Sequence, residues 1–327
     1  MITIGAKEAD RIREWNVLDT QPVSLRFVKT TDARSKHIES FLEALARMAP
    51  RVSVVTEKGG EEDLPGFYVG KAVHYHAVPV ENELAPFLEM LSLLNTSRQE
   101  LPLQALRHLE ALQLPAELKL YVTPQCPFCP GAIREIVPLS FANPLLEVKV
   151  IDGLLFPELA GRDGIRSVPT LILDDQLRWT GSMDRQEILE ALVHRDPSRL
   201  SAKALKEILK DGSADRLARM MLEQNCIFPS FPDLLSHPDW SVRLGAMVVV
   251  EELADQNPKL ALELAPLLWE RIEDVDGPAR GDMISIFGLL GSKEYIPRLE
   301  NLLTAENDEG MREVVEDTLE RLRAPSI

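Results

Sequence analysis

Cysteine is scarce in this chain of 327 residues: three occur, Cys126, Cys129 and Cys226. So few argue against a disulfide framework, and two of them set two residues apart suggest one reactive pair in a reducing compartment. Cys226 is expected as a small core residue. Long apolar runs are lacking as well; none approaches the roughly 18 residues of a membrane helix. The opening Met1-Ile-Thr-Ile-Gly-Ala-Lys-Glu-Ala-Asp-Arg11 lacks the basic start and apolar core of a secretory signal. A soluble, cytoplasmic protein with no membrane partner is expected. Positive charge is short too, with 36 Lys and Arg against 52 Asp and Glu and a net charge of −16. Without a basic cluster, nucleic acid is not an expected partner.

Metal ligands are similarly sparse. Zinc needs four, usually a second Cys pair or a Cys/His pair at similar spacing, and no second Cys pair exists. His74 and His76 alternate along one predicted strand but lie far in sequence from the thiols. The run Glu273-Asp274-Val275-Asp276 lacks the twelve-residue calcium-loop pattern and reads as a solvated helix edge. No metal is expected.

What the chain does have is apolar substance, 45% of its residues, enough to fill the cores of two or three domains. Its organising stretch is Leu118 to Pro130. Leu118–Val122 reads as a buried strand that turns into Cys126-Pro127-Phe128-Cys129, followed by a helix over Gly131–Ser140. At a helix start, unpaired backbone N–H groups and the positive end of the macrodipole favour a thiolate, which assigns Cys126 as nucleophile. Cys129, further into the helix, is the shielded resolving thiol. Pro127 suits a first helical turn because its missing N–H is not needed there. Phe128 offers an apolar surface to a substrate or simply covers the site.

Around this stretch the predicted elements fall into two similar series. After an amphipathic helix over residues 7–17 come a strand at Val23–Lys29, a helix at Arg34–Met48, strands at Arg51–Thr56, Leu64–Gly70 and Val73–Val78, and a helix at Glu83–Leu94. A bridging helix is expected within Asn95–Ala116. The second series runs strand Leu118–Val122, helix Gly131–Ser140, strand Leu146–Ile151, helix Phe156–Arg162, strands Thr170–Leu173 and Leu177–Thr180, and helix Arg185–His194. Each series has a strand led by a proline, Pro65 or Pro169, at a similar distance from its first strand.

These residues resemble the thioredoxin and glutaredoxin folds, through the strand-Cys-Pro-Phe-Cys-helix stretch, Ser167-Val168-Pro169-Thr170 and the terminal helix after Gly181-Ser182-Met183. The paired arrangement over about residues 6–195, with Val150-Ile151-Asp152-Gly153 and Phe156, is similar to the N-terminal redox module of the alkyl hydroperoxide reductase flavoprotein and to two-unit protein disulfide oxidoreductases. The resemblance implies a cis-Pro169 facing the thiols, with Val168 presenting backbone to a substrate peptide. It also implies a moderately reducing couple, about −200 to −230 mV as in glutaredoxins. The chain departs from these relatives twice. No Gly-x-Gly-x-x-Gly follows, so no flavoprotein body is expected, and Thr30-Thr31-Asp32-Ala33-Arg34 stands where the first unit's redox pair would be. That unit is expected to be redox-silent, with Pro65 architectural.

The remainder is predicted helical: Ala202–Lys210, Asp215–Glu223, Val242–Leu253, Ala261–Arg271, Gly281–Leu290, Tyr295–Leu303 and Glu309–Leu322. Residues 201–327 hold 14 basic and 24 acidic side chains, an asymmetry that sets this part off and suggests basic partners. Asp239–Arg243, Asp276–Arg280 and Asp308–Arg312 each place an Asp four residues ahead of an Arg at the start of an apolar helix, which resembles HEAT-like repeats.

The expected fold class is α/β followed by all-α: two tandem thioredoxin-like folds, then a HEAT-like helical domain. The expected boundaries are 1–113 with the bridging helix, 114–197 with the redox motif, and 198–327. The expected function is thiol–disulfide exchange with a protein disulfide substrate held by the helical repeats. It needs no cofactor beyond the Cys126–Cys129 disulfide, with an external thiol or reductase as electron donor and a reductase or peroxidase as redox partner. The alternative is a scaffold or adaptor in which the thioredoxin-like units only bind. The sequence leaves the oligomeric state open.

Overall fold

The computed structural model describes residues 4–18, 21–60, 63–94, 101–210, 212–275 and 277–324. Contacts divide it into two compact units, one ending at His194 and one beginning at Arg195.

The first unit is built on one eight-stranded sheet. In chain order it contains α1 (Ala6–Leu18), β1 (Val23–Lys29), α2 (Ser35–Met48), β2 (Val52–Lys58), β3 (Gly66–Val69), β4 (Val73–His76) and α3 (Leu84–Leu93). Then come α4 (Leu103–Ala111), β5 (Ala116–Val122), α5 (Cys129–Ala142), β6 (Leu146–Asp152), α6 (Pro157–Arg162), β7 (Thr170–Leu173), β8 (Leu177–Thr180) and α7 (Arg185–Val193). Local pattern explains most of them. In α2, Ile38, Phe41, Leu42 and Leu45 recur at helical spacing and are buried. In β1, Val23, Leu25 and Phe27 alternate inward. Of the bridging helix, Leu103–Ala111 is helical, residues 95–100 lie outside the described residues, and Ala116 already belongs to β5.

The strand order is β2-β1-β3-β4-β6-β5-β7-β8. β1 pairs parallel with β2 and antiparallel with β3, which pairs antiparallel with β4. β5 repeats the scheme with β6, β7 and β8. The two copies are joined edge to edge, Val73–His76 of β4 running parallel to Val148–Ile151 of β6. Equivalent strands therefore meet different environments. β4 is buried throughout, whereas β8 is mostly exposed at the sheet margin. One apolar core runs from Ile12 and Trp15 through Phe41, Phe67 and Phe87 to Cys129, Ile136 and Ile188.

The second unit is helical. It comprises α8 (Ala202–Lys210), α9 (Ala214–Gln224), α10 (Pro232–Leu235), α11 (Trp240–Gln256), α12 (Pro258–Leu262), α13 (Leu264–Trp269), α14 (Gly277–Leu290), α15 (Ile296–Ala305) and α16 (Glu309–Arg323). The single helix expected over Ala261–Arg271 is two helices, α12 and α13. Pro266 has no N–H for the carbonyl of Leu262, where α12 ends. Cys226 is half-buried just beyond the left-handed Asn225 that closes α9, rather than in the core.

The Asp-Arg spacing has a physical basis at two of its three sites. Asp239 caps α11 by accepting from Ser241 N–H at 3.0 Å, and Asp308 caps α16 by accepting from Met311 N–H at 2.8 Å. The arginines reach back to loop and helix-end carbonyls: Arg243 donates to His237 O (2.8 Å) and Pro238 O (3.0 Å), and Arg312 to Leu303 O (2.8 Å) and Glu306 O (3.2 Å). Arg243 also pairs with Asp282 at 2.7 Å, and Arg280 with Glu306 at 3.2 Å. Asp276 lies outside the described residues. No described helix is long and apolar enough to cross a membrane.

Candidate active site

β5 carries the chain through the core to Val122, and the turn that follows brings Cys126 N–H to Thr123 O at 3.0 Å. α5 then begins at Cys129, two residues earlier than the predicted Gly131, with Pro130 in its first turn where no N–H is required. Both thiols are free. The Cys129 N–H donates to Cys126 Sγ at 3.1 Å, so a helix-start amide points at the leading sulfur. Across from it the Val168–Pro169 bond is cis, and the Cys126 thiol faces Val168 O at 3.7 Å. The motif, Val168 and Pro169 thus meet in one place.

Exposure separates the two thiols. Cys126 retains 8% of its surface and Cys129 none. Burial, reinforced by the hydrogen bond with Cys126, pushes the Cys129 thiol well above its ordinary value. It therefore needs help to lose its proton.

The charge of one further residue, to which the sequence pattern assigns no role, reaches this thiol. Glu83 closes the short 3₁₀ turn Glu81–Glu83 ahead of α3, in the first copy of the fold, and is fully buried. Neither carboxylate oxygen has a hydrogen-bond partner. Burial, followed by the nearby charges of Asp152, Cys126 and Glu81, holds its pKa well above the carboxylate range, and its charge in turn raises the Cys129 thiol. Asp152, at the end of β6, is also raised by burial, opposed by the Leu154 and Leu155 N–H groups it accepts. The signal in the sequence is weak. Glu83 lies 43 residues before Cys126 and reads as an ordinary first-turn acid, although Val78-Pro-Val80 and Leu84 to Leu88 around it are almost wholly apolar.

Beside the thiols lies a groove of about 580 Å³ lined by Phe128, Ala132, Val168, Pro169 and Met183. Phe128 is 74% exposed, so it presents its ring outward instead of covering the sulfur. The two charged residues in its lining, Arg134 and Glu135, are both paired. Arg134 meets Glu89 through two bonds of 2.6 and 2.9 Å, and Arg185 meets Glu135 at 2.6 Å.

In the first copy, Asp32-Ala33-Arg34-Ser35 takes the place of the motif. Ser35 opens α2 as Cys129 opens α5, which puts Asp32 where Cys126 would stand. Pro65 lacks the cis bond and its carbonyl accepts from His76 Nδ1 at 3.0 Å. The His74 and His76 rings lie 4.0 Å apart, tilted by 49°, and no group of three metal-ligating side chains forms among the described residues.

A paired, duplicated sheet with a Cys-x-x-Cys helix start facing a cis-proline is the architecture of the thioredoxin fold. Residues 116–194 match the thioredoxin domain family. Over 202 residues the chain is 20% identical to the F component of alkyl hydroperoxide reductase from Xanthomonas campestris pv. phaseoli, covering 59% of this chain and 38% of that protein. It thus spans less than two-fifths of the length of this relative. Among solved structures, it is similar to the N-terminal NTD_N/C domain of the alkyl hydroperoxide reductase AhpF from Enterococcus faecalis (TM-score 0.52, 21% identity, 58% of this chain and 100% of that one). It is also similar to a protein disulfide oxidoreductase from Aeropyrum pernix (TM-score 0.54, 16% identity, 62% and 97%).

Proposed function

We propose that the chain exchanges dithiol and disulfide with a partner protein through Cys126 and Cys129. The observation that carries this reading is the asymmetric thiol pair, one sulfur that keeps 8% of its surface under a helix-start N–H and faces the cis-proline segment, and one fully buried within the electrostatic reach of Glu83. In the reductive direction the Cys126 thiolate attacks a substrate sulfur. The substrate S–S bond breaks, a mixed disulfide forms, and the first substrate sulfur leaves as a thiolate that takes up a proton. Glu83 accepts the Cys129 proton as that sulfur attacks Cys126. The mixed disulfide breaks, the second substrate thiolate leaves, and the pair ends as a disulfide, two electrons having passed to the substrate. An external thiol or reductase returns them. No organic cofactor or metal enters this cycle, and the reducing cytoplasm suits it.

The groove supports a protein as substrate. Its walls are largely apolar and the charges in them, Arg134 and Glu135, are matched by Glu89 and Arg185, which suits an uncharged chain segment better than a small acidic thiol such as glutathione. The helical unit, read as HEAT-like repeats, holds the partner. On α11, Trp240, Leu244 and Val248 recur every four residues and are 61%, 44% and 44% exposed, followed on the same face by Glu251 and Asp255. An apolar, basic partner segment complements that face.

The test is capture. Cys129→Ser should hold a mixed disulfide on Cys126, and mass spectrometry of the captured proteins names the substrate; capture unaffected by Cys126→Ser would sink the reading. A scaffold role is favoured by the first copy, which keeps the fold with no cysteine. A Cys126→Ser/Cys129→Ser double variant that binds partners and works in cells as well as wild type would establish that alternative. Electron delivery to a peroxidase is decided by a coupled peroxide assay with candidate reductases.

A further inference from the structure

We propose that Arg34 is a positioning residue for the dithiol: the vestigial site of the first copy has become a clamp that holds one wall of the working site. The inference rests on the oxidoreductase reading above.

Arg34 stands one residue before α2, where Phe128 stands before α5. Phe128 turns outward; Arg34 turns inward and is 22% exposed at its side chain. Its guanidinium takes both oxygens of Asp32, with Nε at 3.0 Å from each and Nη2 at 2.5 Å from Oδ2. Nη1 crosses to the second copy, donating to Leu155 O at 3.2 Å and to Glu158 Oε1 at 2.5 Å. The same cation lies 4.1 Å above the ring of Phe156. One planar fork therefore satisfies two carboxylates, one carbonyl and one aromatic face, which a lysine ammonium cannot do.

What Arg34 grips leads to the thiols by two routes. Phe156 is fully buried in a small cluster with Tyr121, Ile151, Leu159 and Ile172, and Val168 packs against that cluster. Val168 is the residue whose carbonyl faces Cys126. The second route is the backbone. Leu155 donates its N–H to Asp152 and offers its carbonyl to Arg34, while Gly153 N–H donates to Val122 O at 3.0 Å at the end of β5. Asp152 is the carboxylate whose charge Glu83 feels. Removing the guanidinium leaves Asp32 and Glu158 facing each other without a cation, uncovers Phe156 and frees the Leu155 carbonyl. The wall then loosens on the side of Val168, and Cys126 becomes easier to reach but is less well placed for exchange.

The test uses the full chain with Arg34→Ala and Arg34→Lys. Two rates are read: reduction of insulin disulfides with dithiothreitol as electron source, and alkylation of Cys126 by iodoacetamide, which needs no turnover. Arg34→Ala is expected to slow exchange by up to about a hundredfold, the cost of a misplacement of roughly 1 Å, while alkylation of Cys126 speeds up several-fold. Arg34→Lys falls between. If Arg34→Ala lowers only the melting temperature and leaves both rates at wild-type values, the clamp is merely structural and the proposal is overturned. Should Arg34→Ala fail to fold, Glu158→Gln, at a carboxylate with 52% of its side chain exposed, must move both rates the same way by a smaller factor; unchanged rates there overturn the proposal as well. A wild type that alkylates but never turns over defeats the oxidoreductase reading, and the alkylation ratio alone then decides the clamp.

Discussion

The two copies of the thioredoxin-like fold share strand order and pairing yet differ at the one turn where chemistry is possible. At the start of α5 two thiols face a cis-proline; at the start of α2 an aspartate and a serine stand in their places, with the arginine between them paired across to the other copy. The contrast separates what the fold requires from what the reaction requires. Both turns supply a helix start at the end of a sheet strand. Only one adds a sulfur that keeps 8% of its surface, a second that keeps none, and a carboxyl with its pKa raised by burial. That carboxyl, Glu83, belongs to the other copy, so in the proposed exchange the cysteine-free half supplies a group to the half that carries the thiols.

This contrast can be broken at its strongest point first. Cys126→Ser should remove exchange entirely, measured with insulin disulfides, because no other described thiol has a resolving partner. Next, Glu83→Gln should slow exchange by about a hundredfold, the lower end of what a positioned base contributes. The same variant should alter stability. The folded-state pKa of Glu83 is raised, so the folded chain keeps a proton that the unfolded chain has lost once pH passes the ordinary glutamate value near 4.3. Wild-type stability therefore falls with rising pH above that value by about 1.4 kcal/mol per unit until the raised pKa is reached. Denaturant melts across pH should show that slope in wild type and lack it in Glu83→Gln.

A smaller effect sharpens the comparison from the silent side. Asp32→Cys/Ser35→Cys, placed in a Cys126→Ser background, should give a thiol pair without turnover, since Pro65 lacks the cis bond and Arg34 remains committed to Glu158. Turnover from that variant would show that the fold alone supplies the chemistry. Smallest in stability is Phe128→Ala, at an exposed ring; melting should shift by no more than about 0.5 kcal/mol, while exchange with protein disulfides slows and alkylation of Cys126 does not.

Much of this was legible from spacing. The alternation of Val23, Leu25 and Phe27, the helical recurrence of Ile38, Phe41 and Leu45, and the pair Cys126 and Cys129 are local signals, written within a few residues. Glu83 and Arg34 were not legible, because their roles come from the parallel joining of β4 to β6, which brings residues from one copy against the other. A sequence pattern marks Glu83 as a helix-start acid and Arg34 as a surface base; only the sheet order buries the first and pairs the second. The split of the expected helix at Pro266 was legible in principle, since the proline lies inside it, but the apolar period over Ala261–Arg271 concealed it. Half-burial of Cys226 depends on the left-handed Asn225 before it, which asparagine permits but does not announce.

The most direct measurement is a glutathione redox-buffer titration of the full chain, with each cysteine's state read by differential alkylation and mass spectrometry. Cys126 and Cys129 should convert together as a single two-electron couple, with a midpoint of about −200 to −230 mV, while Cys226 stays reduced throughout. If the two thiols remain alkylatable across the whole range, or oxidise independently of each other, the pair is not a dithiol–disulfide centre and the account is contradicted.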